Sequence, residues 1–449
     1  MNLRSHLRAT LRLAAPVMVS RLGILTIVAA DTAMTGWAGT RELAALAISA
    51  APHTPLLLVG VGLCTGTIVL ASQAEGAGKL AETGFILRAA WRQAWIAGVI
   101  LLGLFHTGEW SLLALGQTPS LALEGAEVLA MFGWGMPAVL LFAATTMFLE
   151  AIGRPTSGMI FMLVANVVNA GLNWVFIYGH LGAPEMGAEG AALATSIARW
   201  IGAAGIIAWV YVTLGGSRLG VRPGRLRLGA RRRRRARRTG RRLLSVGIPI
   251  GVAHGFEAGA FASLTVFAGW LGGTEGAAFG IVLNLFALPF MPALGLATAA
   301  NIRVGQAFGR RDREGAREAA WAAFRIIIAF QACIALGYLL FAGFLAGLYT
   351  GEVAVLAAAV PAVRVAGLVL LPDALQVVLV GCLRGLSDIW PATILFMVAF
   401  WGTMVPSAWW LGVHLAFGAP GLVASVGIGC IAAVVLLVLR FRHVVARPL

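Results

Sequence analysis

Charged residues are scarce in this sequence: only 12% of its 449 residues are Asp, Glu, Lys or Arg, whereas an average soluble domain has about 25%. Hydrophobic residues make up 59%. A soluble globular protein is therefore excluded, and most of the chain must lie in an apolar environment.

Cysteines are also few. The four, Cys64, Cys333, Cys382 and Cys430, lie singly in apolar segments without CxxC spacing. This pattern indicates neither a disulfide framework nor a metal site. We interpret them as small core residues.

Long apolar runs dominate the sequence instead. A helical run of about 20 residues crosses a hydrocarbon core of about 30 Å, and such runs recur with short loops between them. The sequence therefore predicts an all-α integral membrane protein with about twelve transmembrane helices. The spans lie near residues 13–37, 46–70, 87–107, 127–150, 158–179, 188–213, 244–271, 276–302, 320–346, 353–382, 390–414 and 418–440.

The net charge of +16 comes from basic loops that alternate with loops nearly free of Lys and Arg. The most basic stretch is Arg222–Arg242, RPGRLRLGARRRRRARRTGRR. By the positive-inside rule this stretch and both termini are expected to be cytoplasmic. The stretch has no interleaved aromatic residues to stack on bases, so nucleic acid is not an expected partner. Its charges are expected to set the topology and to rest on anionic lipid headgroups.

The sequence repeats itself at an offset of 233 residues. Pro16, Gly36, Trp37 and Gly39 fall on Pro249, Gly269, Trp270 and Gly272, and GLCTGTIVLASQAEG at 62–76 falls on GLATAANIRVGQAFG at 295–309. An even number of spans gives both halves the same orientation. We therefore expect two pseudo-symmetric six-helix bundles, 1–217 and 244–449, joined by a linker at 218–243, with the substrate path between them.

Three carboxylates, Asp31, Glu257 and Asp373, lie well inside predicted spans. A charged residue at mid-helix costs about 2.5–3.5 kcal/mol on insertion scales, so it normally faces a wet cavity or a partner. One interpretation is buried ion pairs with arginines that also fall inside spans, Arg199, Arg325 and Arg364. Three carboxylates together favour a second interpretation, a site for Na⁺ or H⁺. Burial favours the neutral form of a carboxyl group, and a nearby cation favours the ionised form, so such a group can bind and release an ion.

The fifth span adds neutral ligands. Asn169 and Asn173 are four residues apart and share one helix face. Their amides could coordinate an ion together with Asp31 and the hydroxyl of Thr195 on span six. Hydrogen bonds that only pack the helices together are the competing interpretation.

Several stretches resemble the multidrug and toxic compound extrusion (MATE) family, and most of all its NorM-type bacterial branch, over nearly the whole chain. They are ADTAMTGWAG, NAGLNWVFIYG with GAEGAALATS, GIPIGVAHGFE, ANIRVGQAFG and PDALQVVLVGCLRG. The resemblance implies a V-shaped pair of six-helix bundles. It also implies an amino-terminal cation or proton site made by Asp31, Asn169, Asn173 and Thr195, carboxy-terminal carboxylates Glu257 and Asp373, and helix bending at Pro16.

Two positions depart from the family pattern. Asn173 stands where some members have a second Asp, and Phe279–Gly280 stands where a His–Gln pair is common. We expect Asn284 to line a substrate cavity together with Asp31, Glu257 and Asp373.

The function implied by the resemblance is a monomeric antiporter that exchanges Na⁺ or H⁺ for cationic or amphiphilic drugs and toxic organic compounds. No cofactor is expected. An enzyme is not expected either, because no nucleophile or metal cluster stands at catalytic spacing. The alternative is a lipid-linked glycan flippase, for which a more cationic cavity would be expected than three intramembrane carboxylates suggest.

Overall fold

A computed structural model describes residues 3–215, 219–220 and 230–446 of the chain. Within these ranges there are seventeen α-helices and no β-strand, which confirms the all-α class. Residues 222–229 of the basic stretch lie outside the described residues.

The helices follow one another with short connections. They are α1 (Leu3–Ala38), α2 (Thr40–Cys64), α3 (Gly66–Gly76), α4 (Leu80–Phe105), α5 (Gly108–Ala114), α6 (Pro119–Trp134), α7 (Met136–Ala151), α8 (Pro155–Tyr178), α9 (Gly187–Leu214), α10 (Ala230–Trp270), α11 (Gly273–Gly309), α12 (Arg313–Leu340), α13 (Ala342–Gly347), α14 (Val353–Gly385), α15 (Ile389–Ala399), α16 (Val405–Ala408) and α17 (Gly418–Ala446). Two π-helical segments, Phe400–Met404 and Trp409–His414, flank α16.

In the described part of the chain, eleven helical segments are long and apolar enough to cross a membrane, and the bent pair α6–α7 would supply a twelfth. The expected count of about twelve is therefore confirmed. The bend of 43° lies between Trp134 and Met136, inside the predicted span 127–150. Pro137 follows at the start of α7, and because proline has no N–H, the hydrogen-bond ladder of α6 cannot continue through it.

Residues 230–243, which the sequence assigned to the linker, form the first turns of α10. This difference has a physical reason: Arg and Ala are good helix formers, and only the density of charge suggested a loop. α10 thus continues without a break from the basic stretch into the seventh predicted span.

The described residues fall into two compact units. The amino-terminal unit lies within Val19–Gly255, and the carboxy-terminal unit lies within Met1–Met18 and Phe256–Leu449. α1 and α10 each contribute residues to both units, and in α1 the change follows two residues after Pro16, which lies inside the helix.

Glycines set the close helix packing of the amino-terminal unit. A Cβ at Gly23 of α1 would lie 2.7 Å from the Met162 side chain of α8, and one at Gly190 of α9 would lie 2.5 Å from the Phe176 carbonyl oxygen of α8. Small residues at such positions let membrane helices approach closely. They bring α1, α8 and α9 together around the residues that the sequence singled out.

In the carboxy-terminal unit, α14 packs closely against α11 and α17. A Cβ at Gly385 of α14 would lie 2.8 Å from the Asn301 carbonyl oxygen of α11, and one at Gly427 of α17 would lie 2.9 Å from the Val369 side chain of α14. The same use of small residues therefore places α17 beside the turn of α14 that carries Asp373.

The first turns of α1 are held within the carboxy-terminal unit by Arg303 of α11. Its guanidinium donates to the His6 carbonyl oxygen at 2.8 Å and to the Thr10 hydroxyl at 2.5 Å. The His6 Nε2 in turn lies 2.7 Å from a Glu318 carboxylate oxygen of α12. This network satisfies the buried His6 ring and ties α1 to two neighbouring helices.

The two units share a capping device that follows the sequence repeat. In the amino-terminal unit the Glu42 carboxylate accepts from the Ala188 N–H at the start of α9, at 2.7 Å. In the carboxy-terminal unit Glu275, 233 residues after Glu42, accepts from the Ala419 N–H at the start of α17, at 2.6 Å. A carboxylate at a helix amino terminus pairs an orphan N–H and interacts favourably with the helix dipole.

We expect Glu42→Ala and Glu275→Ala each to lower stability by about 1 kcal/mol, because each leaves a helix start without its acceptor. The two losses should add, since the residues lie in separate units. Thermal unfolding of the detergent-purified protein measures both, with Glu109→Ala, an exposed glutamate in the first turn of α5, as the control. A single variant that melts like the control would show that its cap contributes nothing.

Candidate functional site

The structure brings four of the predicted site residues into one buried cluster in the amino-terminal unit. The Asp31 Oδ1 accepts from the Asn173 amide at 2.7 Å and from the Asn169 amide at 3.1 Å, and the Asp31 Oδ2 accepts from the Thr195 hydroxyl at 2.6 Å. The Asn169 amide also donates to the Thr195 oxygen at 2.9 Å. Three neutral side chains thus converge on one carboxylate.

Three helices supply this Asp31 cluster. α1 carries Asp31, α8 carries both asparagines one turn apart, and α9 carries Thr195. All four side chains are at least 95% buried. A fourth contact, from the Tyr178 hydroxyl of α8 to the Met34 carbonyl oxygen of α1 at 2.8 Å, holds α1 against α8 just beyond the aspartate.

The Asp31 cluster offers oxygen atoms as well as N–H donors. The Asn173 Oδ1 is buried and has no hydrogen-bond partner among the described residues. Together with the carboxylate, the Asn169 Oδ1 and the Thr195 oxygen, it supplies the hard oxygen ligands that cations without strong covalent preferences bind. The same carboxylate can instead take up a proton, so the cluster has the chemistry to bind either a cation or a proton.

The ion pairs considered from the sequence do not form. None of Arg199, Arg325 and Arg364 lies within 4.0 Å of a predicted intramembrane carboxylate in the described part of the chain. Arg199, one turn beyond Thr195 on α9, stays within electrostatic range of Asp31. Its Nη1 is buried without a hydrogen-bond partner among the described residues. Asp31 is therefore held by neutral donors.

The carboxy-terminal unit brings Asp373 of α14 into contact with a residue that the sequence did not single out. The Cys430 thiol of α17 donates to the Asp373 Oδ1 at 3.6 Å. The Gln376 side chain and Glu257 of α10 also lie within electrostatic range of Asp373. Asp373 is 5% exposed, and Glu257 is half-buried.

Asn284 is not part of this hydrogen-bond network. It is exposed, and its amide donates to the Gly280 carbonyl oxygen of its own helix at 3.0 Å. Its expected place in a substrate cavity thus gains no support from hydrogen bonding. Asp31, for its part, belongs to the amino-terminal unit, whereas Glu257, Asn284 and Asp373 belong to the carboxy-terminal unit.

Two charged residues of the amino-terminal unit form an ion pair that the sequence did not predict. Glu150 of α7 is 3% exposed, and its carboxylate lies 3.7 Å from the Arg21 guanidinium of α1. Glu150 is the last residue of a predicted span, and a charged residue at a span end is common and therefore does not indicate a site. Arg21 could have predicted the ion pair. It lies eight residues into the first predicted span, where a buried arginine needs a partner as much as an aspartate does.

Two stretches of the chain, residues 16–175 and 249–410, match the MatE family. The matches begin 233 residues apart, which confirms the internal repeat and its offset. Both contain the helices that carry the carboxylates of their half: Asp31 in the first, Glu257 and Asp373 in the second.

Curated relatives match nearly end to end. A Caulobacter vibrioides protein called probable multidrug resistance protein NorM is 36% identical over 440 residues, which cover 96% of this chain and 90% of that protein. The multidrug resistance protein NorM of Aliivibrio fischeri is 28% identical, covering 90% of this chain and 86% of its own.

Solved structures agree on the fold. The crystal structure of the eukaryotic MATE transporter AtDTX14 has a TM-score of 0.89 at 17% identity, over 98% of this chain and 96% of that one. An outward-facing multidrug resistance MATE transporter has a TM-score of 0.88 at 20% identity, with the same coverage. On the family match and the identity to its NorM relatives, the chain belongs to the MatE family, as a NorM-like member of the MATE transporters.

Proposed function

We propose that this protein exports cationic or amphiphilic organic compounds in exchange for Na⁺ or H⁺, by alternating access. The observation that carries the proposal is the Asp31 cluster, a buried carboxylate that accepts hydrogen bonds from three neutral side chains and forms no ion pair among the described residues. A proton neutralises such a carboxylate, and a bound cation compensates its negative charge. The names of the NorM relatives support organic compounds as the cargo.

Binding of the ion would act on the contacts between helices. With Asp31 ionised and empty, α8 and α9 donate three hydrogen bonds to α1. A proton on the carboxylate, or a Na⁺ beside it, competes for the oxygens that accept them. Ion binding therefore alters how α1 is held and, with it, the stability of the conformation in which the cargo is bound.

The membrane potential is large enough to drive such a cycle. Moving one elementary charge across the membrane is worth about 2.3 kcal/mol per 100 mV. One cation that enters in exchange for a neutral compound gains this free energy, whereas a one-for-one exchange of monovalent cations moves no net charge and is driven by the concentration gradient of the ion. Asp373 and Glu257 are the corresponding ion-binding candidates in the carboxy-terminal unit, where the Cys430 thiol takes the place of a hydroxyl donor.

We place the protein in the bacterial cytoplasmic membrane with both termini and the basic stretch on the cytoplasmic side, as the distribution of arginine favours. A monomer of two six-helix bundles suffices for this mechanism, because each unit carries its own carboxylates.

The experiment that tests the proposal is transport of a fluorescent organic cation by the purified protein in proteoliposomes, with Na⁺ and H⁺ gradients imposed separately. Export should follow one of the two gradients and should collapse when that gradient is dissipated. A response to neither gradient would favour the flippase or a facilitator. Full export by Asp31→Asn, Glu257→Gln and Asp373→Asn alike would remove these carboxylates from coupling.

A further inference from the structure

α10 is much longer than a membrane crossing requires. Its 41 residues run from Ala230 to Trp270, or about 60 Å at 1.5 Å per residue, which is about twice the thickness of a hydrocarbon core. The apolar part begins at Leu243. The turns before Leu243 therefore stand at the level of the lipid headgroups and beyond.

Five exposed arginines of these turns lie on one side of the helix. They are Arg234, Arg237, Arg238, Arg241 and Arg242, and we call them the arginine face. At about 100° per residue they cover about 140° of the helix circumference. The opposite side carries Gly240, Leu243 and Val246, all of which are buried.

The helix is fixed in this orientation by α4. The Arg235 guanidinium, next to the edge of the arginine face, lies 2.5 Å from the Glu82 carboxylate and 5.2 Å from the centre of the Phe85 ring. The Arg92 guanidinium of α4 lies against Gly240, where a Cβ would be 2.6 Å from it. The arginine face thus belongs to a packed element of the amino-terminal unit.

The charges of the arginine face have no counter-charge in the described part of the chain. Among the arginines of residues 234–242, Arg235 forms an ion pair, with Glu82, and none of the five guanidinium groups of the arginine face lies within ion-pair distance of a carboxylate of the described residues. Five positive charges within about 12 Å of helix repel one another unless anions neutralise them.

We infer that the arginine face binds the headgroups of anionic phospholipids in the leaflet that α10 enters. Guanidinium groups bind phosphate through paired hydrogen bonds. Arg237, Arg238, Arg241 and Arg242 fall within about 9 Å of the first apolar residue along the axis, which is about one Debye length at physiological salt. The negative potential of a membrane surface acts over that same distance.

Lipid fits this face better than the other abundant polyanion. Nucleic acid binding without base contacts needs a long basic groove or aromatic platforms, whereas the arginine face is short and contains no aromatic residue. Because the arginine face directly precedes the apolar part of α10, it lies at the level of the lipid phosphates whenever the protein is in a membrane. The inference concerns lipid binding and does not depend on the transport proposed above.

Binding of phosphatidylglycerol to the full-length purified protein tests the inference. Native mass spectrometry in detergent counts the lipids retained as phosphatidylglycerol or phosphatidylcholine is added. The wild type should prefer phosphatidylglycerol, and Arg237→Gln/Arg238→Gln/Arg241→Gln should weaken its binding at least about tenfold. The corresponding triple lysine variant should retain most of it, because the charge remains.

A second triple variant separates this face from net charge. Arg12→Gln/Arg311→Gln/Arg317→Gln removes three exposed arginines of the carboxy-terminal unit and should leave phosphatidylglycerol binding near the wild-type level. Equal binding by wild type and the α10 glutamine variant, or no preference over phosphatidylcholine, would overturn the inference. So would tighter binding of single-stranded DNA than of phosphatidylglycerol at 150 mM salt, roughly the physiological ionic strength. Circular dichroism confirms that each variant is folded.

Discussion

Asp31→Asn is expected to abolish gradient-driven export while leaving the protein folded. The two effects separate because the substitution keeps the shape of the side chain and removes only its charge. Both parts of the expectation follow from the hydrogen bonds of the Asp31 cluster.

The fold should survive because Thr195 can reverse its hydrogen bond. An asparagine at position 31 can keep its carbonyl oxygen where the Asp31 Oδ1 now accepts from Asn169 and Asn173. Its amide N–H then faces Thr195, whose hydroxyl now donates to the Asp31 Oδ2. A hydroxyl accepts as readily as it donates, so the contact between position 31 and Thr195 can persist with its direction reversed.

Coupling should be lost because an amide attracts a cation far less than a carboxylate does. Two unit charges 4 Å apart gain about 4 kcal/mol at an effective dielectric constant of about 20. Losing that attraction weakens cation binding about 1000-fold. An amide also cannot carry the proton that a carboxyl group takes up, so both possible coupling ions fail at this site.

The measurement is export of a fluorescent organic cation from proteoliposomes driven by whichever gradient powers the wild type. Asp312→Asn is the matched control, since it makes the same chemical change at an exposed helix cap that asparagine also serves well. Thermal unfolding should show both variants within about 1 kcal/mol of the wild type. Wild-type export by Asp31→Asn would assign coupling to another group, with Asp373 as the next candidate.

The Asp31 cluster could be predicted from the sequence because short-range and long-range signals agreed. The spacing of Asn169 and Asn173 puts two amides on one helix face, and a carboxylate inside an apolar span needs polar partners. The family resemblance then joined Asp31 to Thr195 across the chain. Spacing alone could not have done so, because these helices are far apart in sequence.

Other features escaped because their signals are ambiguous. A run of arginines is typical of a loop, yet arginine propagates a helix well once one side of it is buried, as the packing of Gly240 and Leu243 shows for α10. Cys430 looked like a core filler, since a thiol acts as a hydrogen-bond donor only when an acceptor such as Asp373 is placed beside it. The helical structure of the arginine run and the contact of Cys430 with Asp373 both depend on packing between distant parts of the chain, which a local sequence pattern does not show.

Arg21→Met is expected to lower the stability of the protein by about 3–5 kcal/mol, the cost of leaving a buried charge unpaired. Glu150 is 3% exposed, and its Oε2 has no hydrogen bond among the described residues, so the Arg21 guanidinium at 3.7 Å is the charge that compensates it. Methionine keeps most of the apolar volume of the arginine stem. The loss therefore reports the missing charge rather than a cavity.

Removing the other member of the ion pair should lower the stability less. In Glu150→Met the unpaired partner is Arg21, whose side chain is 17% exposed and can extend its charged end toward water. We expect a loss of about 1–3 kcal/mol. The free energies come from reversible unfolding of the purified protein in mixed micelles with increasing SDS.

The double variant Arg21→Met/Glu150→Met should recover most of the stability that Arg21→Met loses, since replacing both members of a buried ion pair by apolar groups is often neutral or stabilising. A double variant as unstable as the sum of the two single variants would contradict an interaction between the two residues.

Transport by the double variant then assigns the role of the pair. Arg21 precedes Asp31 by ten residues on α1, so export that returns with stability would make the pair a structural anchor of that helix. Restored stability without export would make the charge of the pair part of the transport cycle.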